Sequence, residues 1–347
     1  MVVYSGRTSQ APIEEDFRLP AHDFETPECL RGVEHKFVDQ ITEKILGSIV
    51  RDKHSLEGFT FQTLEEGLKR TVRWSGYWNK ERLASYNRGE LEPAPEFRDA
   101  TLLGHLLNLS GVIERFLKTD NRFGKVDPLS AACLRLNCWL HDLGETIVGD
   151  IMNPVKNQNH EQLEKESFLS NIKNLLPFLD GFEREFVSHF YDQISAPDRG
   201  SENQTNDLHR TFRYIEKIDW ARSALCLHHS PPMRDFNNFS CRNSILYGDF
   251  SDLREAIDYN PRLALVIEGE VLDFQMMIKE IESEEQYRIR QSIWSGLKGG
   301  FIGNIQNCSW NLNYDLLKSA ISEVQNKLEG CSATQPIING VTSLPPL

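Results

Sequence analysis

His141 and Asp142 stand side by side in LRLNCWLHDLGETIVGDI, residues 134–151, where a run dense in apolar residues ends. An imidazole beside a carboxylate at the rim of a buried helix supplies half of a divalent-metal site. Read as one helix, the stretch sets His141 and Glu145 on a common face at i and i+4, with Asp142 flanking them and Asp150 just past the helix end. The remaining ligands must come from other segments. His105, in TLLGHLLNL, is set into an otherwise apolar helix, and Asp219, in RYIEKIDWARSAL, is a lone carboxylate between Ile218 and Trp220. Two imidazoles and two carboxylates around one ion leave positions open for water and a phosphate oxygen, which equips a site for metal-assisted hydrolysis of a phosphate ester. Each residue also has a plainer use, as a hydrogen-bonded core histidine, a helix-surface or turn carboxylate, or half of a structural ion pair.

Bringing these distant segments to one point is a task for packed helices, and the pattern of the chain is helical almost throughout. VEHKFVDQITEKILGSIV places Val33, Phe37, Ile41, Ile45 and Ile49 at intervals of four, and residues 59–72 continue with Phe61, Leu64 and Leu68. A helix over 99–116 puts Leu102, Leu106, Leu109, Ile113 and Phe116 on one side. A second, over 129–148, stops at Gly149, where a C-cap glycine belongs. Helical patterns follow at 160–176, 181–194, 207–229, 262–283 and 313–328. The expected fold is all-α: a flexible arm over 1–30, a core over 31–230 carrying a long loop or insertion at 75–98, a helical extension over 231–330 and a disordered tail over 331–347.

The order His105, His141-Asp142, Asp219 resembles the ligand signature H…HD…D of the HD-domain superfamily of metal-dependent phosphohydrolases. HDLGETIVGD resembles the HD-x-x-E-x-x-x-x-D segment of the branch that includes the bacterial 5′-deoxynucleotidases and their eukaryotic relatives. The resemblance implies an HD-domain helical bundle and a metal held by His105, His141, Asp142 and Asp219. It also brings Glu145 and Asp150 into the active site. That branch carries an arginine, often with Trp close behind, upstream of the first His, and LKRTVRWSGYW offers Arg73 and Trp74. EKIDWARSAL is similar to the family's Lys-containing helix around the last aspartate. Where the family tends to have Lys three residues before that Asp, this chain has Glu216, with Lys217 shifted by one. A one-residue shift turns a helical side chain by about 100°. The implied activity is release of phosphate from nucleoside 5′-monophosphates, deoxyribonucleotides favoured, with one divalent ion (Co²⁺, Mn²⁺ or Mg²⁺) as cofactor. In that scheme Glu145 orients or deprotonates the attacking water. Arg73 clamps the phosphate, Asp150 and Trp74 face the sugar, and Lys217 is a further candidate for substrate binding.

Composition narrows the field. Lys plus Arg number 38 against 51 Asp plus Glu, a formal net charge of −13 and a pI near 5.3, which argues against a nucleic-acid polymer or an anionic membrane as partner. No apolar run approaches the roughly 18 residues of a membrane span. The first 16 residues contain no apolar signal-peptide core, and the seven scattered cysteines never fall in a CxxC pair. The expectation is a cytoplasmic protein with reduced thiols and a small-molecule nucleotide substrate; a homodimer is allowed, though no heptad seam argues for one. Rival readings are hydrolysis of a deoxynucleoside triphosphate or an alarmone, a di-iron HD-type oxygenase drawing on His160, His189 or His209, and a non-catalytic HD scaffold.

Overall fold

Apolar side chains recurring every three or four residues decide where each helix runs and which face it buries. The computed structural model describes residues 27–51, 53–73, 101–119, 126–151, 156–196, 206–228, 252–269 and 310–333. Of this, 77% is helical and none is strand, so the all-α expectation holds. After a 3-10 turn at Glu28–Leu30 come α1 (His35–Val50), α2 (Leu64–Arg70), α3 (Leu102–Lys118), α4 (Pro128–Leu140), the short α5 (Glu145–Val148), α6 (Gln158–Leu175) and α7 (Gly181–Phe190). A π-turn (Tyr191–Ser195) extends α7, and α8 (Asp207–His228) follows. Beyond it lie α9 (residues 252–259), α10 (residues 262–269) and α11 (Trp310–Ala333). The helical pattern at 262–283 is met over 262–269, and α9 had no counterpart in the sequence reading. The segment 75–98, the arm over 1–26 and residues 334–347 lie outside the described residues.

The core is one cluster into which α1, α3, α4, the π-turn and α8 turn their apolar faces. On α3 the expected stripe of Leu102, Leu106, Leu109, Ile113 and Phe116 is buried. On α1 the buried set is Val38, Ile41, Ile45 and Ile49, while Phe37 sits at the edge against Phe182 and Phe186, ring centres 5.4 and 5.1 Å away. A strict spacing of four runs ahead of the 3.6-residue turn, so the stripe drifts and Val38 takes the inner place. Full burial of such a Leu or Ile contributes about 1.5–3 kcal/mol.

Helix ends are set by local chemistry. Thr101 caps α3 by accepting from the Gly104 N–H at 3.1 Å. Asp127 accepts from Leu129 and Ser130 at 3.0 and 2.9 Å, with Pro128 at the first helical position of α4. Asn157 and Asp180 form capping boxes at the starts of α6 and α7. Residues 71–73 are tied to the start of α3 by a Val72–Thr101 bridge and by Leu102 N–H donating to the Thr71 carbonyl at 2.8 Å. Among the described residues no helix is long and apolar enough to cross a membrane.

Candidate metal centre

The stretch read as one helix over 129–148 is two helices joined by a tight turn at His141–Gly144. Leu143, Glu145 and Thr146 donate to Leu140, Asp142 and Leu143 in i→i+3 bonds of 3.0, 3.0 and 3.2 Å. Such bonding advances about 120° per residue rather than 100°. Glu145 groups with Asp142 and Glu164, while His141 groups with His105, Asp142 and Glu216. Gly149 ends α5 at φ +82°, its N–H on the Glu145 carbonyl at 2.7 Å, as the C-cap reading expects. Gly144 is the point of closest approach to α6: a Cβ there would lie 2.6 Å from Glu164 Cγ and 2.7 Å from the Glu164 carbonyl oxygen.

α3, the end of α4 and the middle of α8 converge on His105, His141, Asp142, Glu216 and Asp219, all buried. His105 Nδ1 is 2.7 Å from Asp219 Oδ2, and His141 Nδ1 is 3.0 Å from the Cys138 carbonyl. Both partners only accept, so each Nδ1 carries a proton, and each Nε2 is the ring atom turned to the cluster, protonated toward Asp142 or open to a cation. Those two Nε2 atoms face each other at 3.2 Å, with Asp142 Oδ2 at 3.3 Å from one and 3.0 Å from the other. Glu216 Oε1 stands 4.0 Å from His141 Nε2. Lone pairs and carboxylates converging in a water-poor interior repel unless a proton or a cation stands between them. Ligands about 2.1 Å from one ion and at right angles to each other are about 3.0 Å apart, so the spacing fits a divalent ion without rearrangement. The buried group His105, His141, Asp142 and Glu216 could hold a metal ion.

A second acidic group shares Asp142. It comprises Asp142, Glu145 and Glu164, and Lys156 lies against its outer members, 3.3 Å from Glu145 Oε1 and 2.7 Å from Glu164 Oε2. Burial and the neighbouring Asp142, Asp150 and Glu164 carboxylates push the Glu145 carboxyl well above its usual range, with Lys156 pulling the other way. Glu164 is pushed up to about 7, chiefly by burial. Burial opposes the charge on Asp142, yet His141 and His105 hold its carboxyl well below the ordinary value. Glu145 Oε2 is buried with no hydrogen-bond partner among the described residues.

Beside these groups opens a cavity of about 510 Å³ that His141 and Asp142 help to line. Its walls include Lys156, Glu164 and Lys165 of the α6 region, Tyr191 and Ser195 of the π-turn, and Phe212 and Arg213 of α8. Tyr191 fixes the π-turn to the site by donating its hydroxyl to the His141 carbonyl at 3.3 Å.

Of the residues singled out from sequence, His105, His141 and Asp142 come together directly, and Asp219 joins them through His105. Arg73 is 5% exposed, and although burial opposes its charge, the carboxylates of Asp142, Asp150, Glu145 and Asp219 raise its pKa. Asp150 is thus close enough to act on both Arg73 and Glu145. Lys217 reaches Asp252 at 3.0 Å and lies over the Trp220 ring, while the 100° shift turns Glu216 inward in its stead. Trp74 lies outside the described residues. His160 serves the α6 capping box and His209 bonds the Ile194 carbonyl at 2.6 Å, so both have structural uses. Glu216, Lys156 and Glu164 were not foreseen as site residues. Glu216 could have been found as the i−3 neighbour of Asp219; Lys156 and Glu164 carry no local signal, because only the α5–α6 packing brings them in. No family model, curated protein or solved structure matches this chain.

Proposed function

We propose that this protein is a metal-dependent phosphohydrolase that releases phosphate from nucleoside 5′-monophosphates, with deoxyribonucleotides favoured. The observation that carries the reading is the meeting of two imidazole Nε2 atoms and the Asp142 carboxylate within 3.0–3.3 Å of one another. Such an ion, when bound, acidifies a coordinated water and polarises the P–O bond. The rest falls to the protein. His105 and His141 are held in the ligating tautomer by Asp219 and the Cys138 carbonyl. Glu145, kept readily protonated by burial and like charge, takes a proton from the attacking water or returns one to the leaving oxygen. Arg73 balances the carboxylates and offers the planar fork that clamps a phosphate. Asp150 accepts from a sugar hydroxyl, and the neighbouring cavity lodges the remainder of the nucleotide.

The test is phosphate release from a panel of nucleoside 5′-mono- and triphosphates with Co²⁺, Mn²⁺ or Mg²⁺, using Asp142→Ala as control. Release from deoxynucleoside monophosphates that vanishes in the control is expected. Turnover of triphosphates alone would keep the metal reading and overturn the substrate, and an inert protein that retains no metal would overturn both.

A further inference from the structure

We infer that Glu216, and not Asp219, supplies the fourth protein ligand of the metal centre, and that Asp219 is a positioning residue acting through His105. The inference rests on the metal reading above and departs from the ligand set that the H…HD…D resemblance implies.

Glu216 and Asp219 are three residues apart on α8, so both face α3 and the turn after α4. What separates them is the atom each addresses. Asp219 Oδ2 sits 2.7 Å from His105 Nδ1, the nitrogen turned away from the cluster. The two nitrogens of an imidazole point in divergent directions, so an oxygen on Nδ1 lies roughly 6 Å from an ion on Nε2, against about 2 Å for a ligand bond. A carboxylate in that place fixes the tautomer and the plane of the ring, as a carboxylate–histidine–metal relay does. Glu216, by contrast, puts Oε1 4.0 Å from His141 Nε2, on the side where the two Nε2 atoms meet. Its other oxygen, Oε2, is held by Arg213 Nη1 at 2.5 Å. That brace leaves Oε1 as the free end and keeps it from rotating out. Glu216 is 2% exposed and stays charged against that burial because Arg213 is paired with it, so Oε1 meets the His105, His141 and Asp142 group as a carboxylate oxygen. A set of two imidazoles and two carboxylates, Asp142 and Glu216, neutralises a dication and is rich enough in oxygen to accept Mn²⁺ readily.

The experiment measures Mn²⁺ binding to the full-length protein by calorimetry, alongside the visible spectrum of the Co²⁺-loaded protein. Histidine ¹H–¹⁵N spectra of the same preparations report the ring tautomers. Glu216→Gln is expected to weaken Mn²⁺ on the order of 100-fold or more, as Asp142→Asn does, and to change the Co²⁺ bands. Asp219→Asn, whose amide oxygen still accepts from Nδ1–H, is expected to stay within about tenfold and keep the Co²⁺ spectrum. Asp219→Ala should weaken binding further and release His105 into a mixture of tautomers, a signature that merely structural damage would not produce. If Glu216→Gln does not fold, Glu216→Asp, shorter by one methylene, is read in its place, and Mn²⁺ binding equal to wild type would count against the inference. Asp219→Asn losing Mn²⁺ as completely as Asp142→Asn, with Glu216→Gln unchanged, would overturn it while leaving the metal reading intact. A wild-type chain that binds neither Mn²⁺ nor Co²⁺ would remove the metal reading itself.

Discussion

The group around His105, His141 and Glu216 and the group around Glu145 and Glu164 share Asp142 and draw on similar residues, but they differ in what balances them. In the second, Lys156 reaches both outer carboxylates and supplies the counter-charge from within the chain. In the first, Arg213 holds the far oxygen of Glu216, the buried Arg73 acts on Asp142 and Asp219, and both Nδ1–H groups donate outward. The difference teaches where each group is short of positive charge. In the second, one lysine serves three carboxylates, and burial with like charge holds Glu145 and Glu164 above their usual range. In the first, the imidazoles facing Asp142 hold it below its usual value, so a proton or a cation at the Nε2 atoms completes the group.

The sharpest way to break this contrast is Asp142→Ala, because Asp142 belongs to both groups. Loss of retained metal and a fall of at least about 100-fold in phosphate release are expected, read by metal analysis and by the phosphate assay. Undiminished release would dissolve the contrast altogether. Lys156→Met acts on the second group alone. It strands two buried carboxylates and should cost about 2–3 kcal/mol in urea unfolding, below the usual cost of breaking a buried pair because the Lys156 side chain is 19% exposed. Adding Glu164→Gln to that variant should recover a good part of the loss, and strict additivity of the two changes would show that they do not interact. Gly144→Ala tests the contact that joins the groups. Its new methyl group meets the Glu164 backbone, and thermal unfolding should reveal a penalty of about 1–3 kcal/mol. Gly181→Ala, which meets open space, is the control and should show no such penalty. Least disruptive is Thr101→Ala, which removes the cap of α3 for about 1 kcal/mol. Mn²⁺ affinity should hold within about twofold there, since His105 stays locked by Asp219.

Much of this was legible in the sequence because short-range periodicity and ligand spacing are local properties. The α3 stripe and the C-cap at Gly149 could be read from the residues alone, and the convergence of His105, His141 and Asp142 was what the H…HD…D resemblance implied. Two things could not. The turn at His141–Gly144 looks helical by composition, since LHDLG holds no strong breaker before Gly144; what bends it is the close seat of Gly144 on α6. Lys156 and Glu164 belong to the site only through tertiary packing of α5 on α6, which no spacing rule encodes. Glu216 lies between these cases. Its offset from Asp219 was visible, but the nitrogen that each carboxylate would address depends on how α8 lies against α3.

The small bridge between Val72 and Thr101 has a consequence for how this chain could diversify. Together with the Leu102–Thr71 bond, it clasps the two ends of the intervening segment a short step from Arg73 on one side and His105 on the other. With both ends clasped, doubling the enclosed length would add only about 0.6 kcal/mol of closure entropy. A change of length between the clasped ends is thus expected to cost little and to leave the backbones that carry Arg73 and His105 in register.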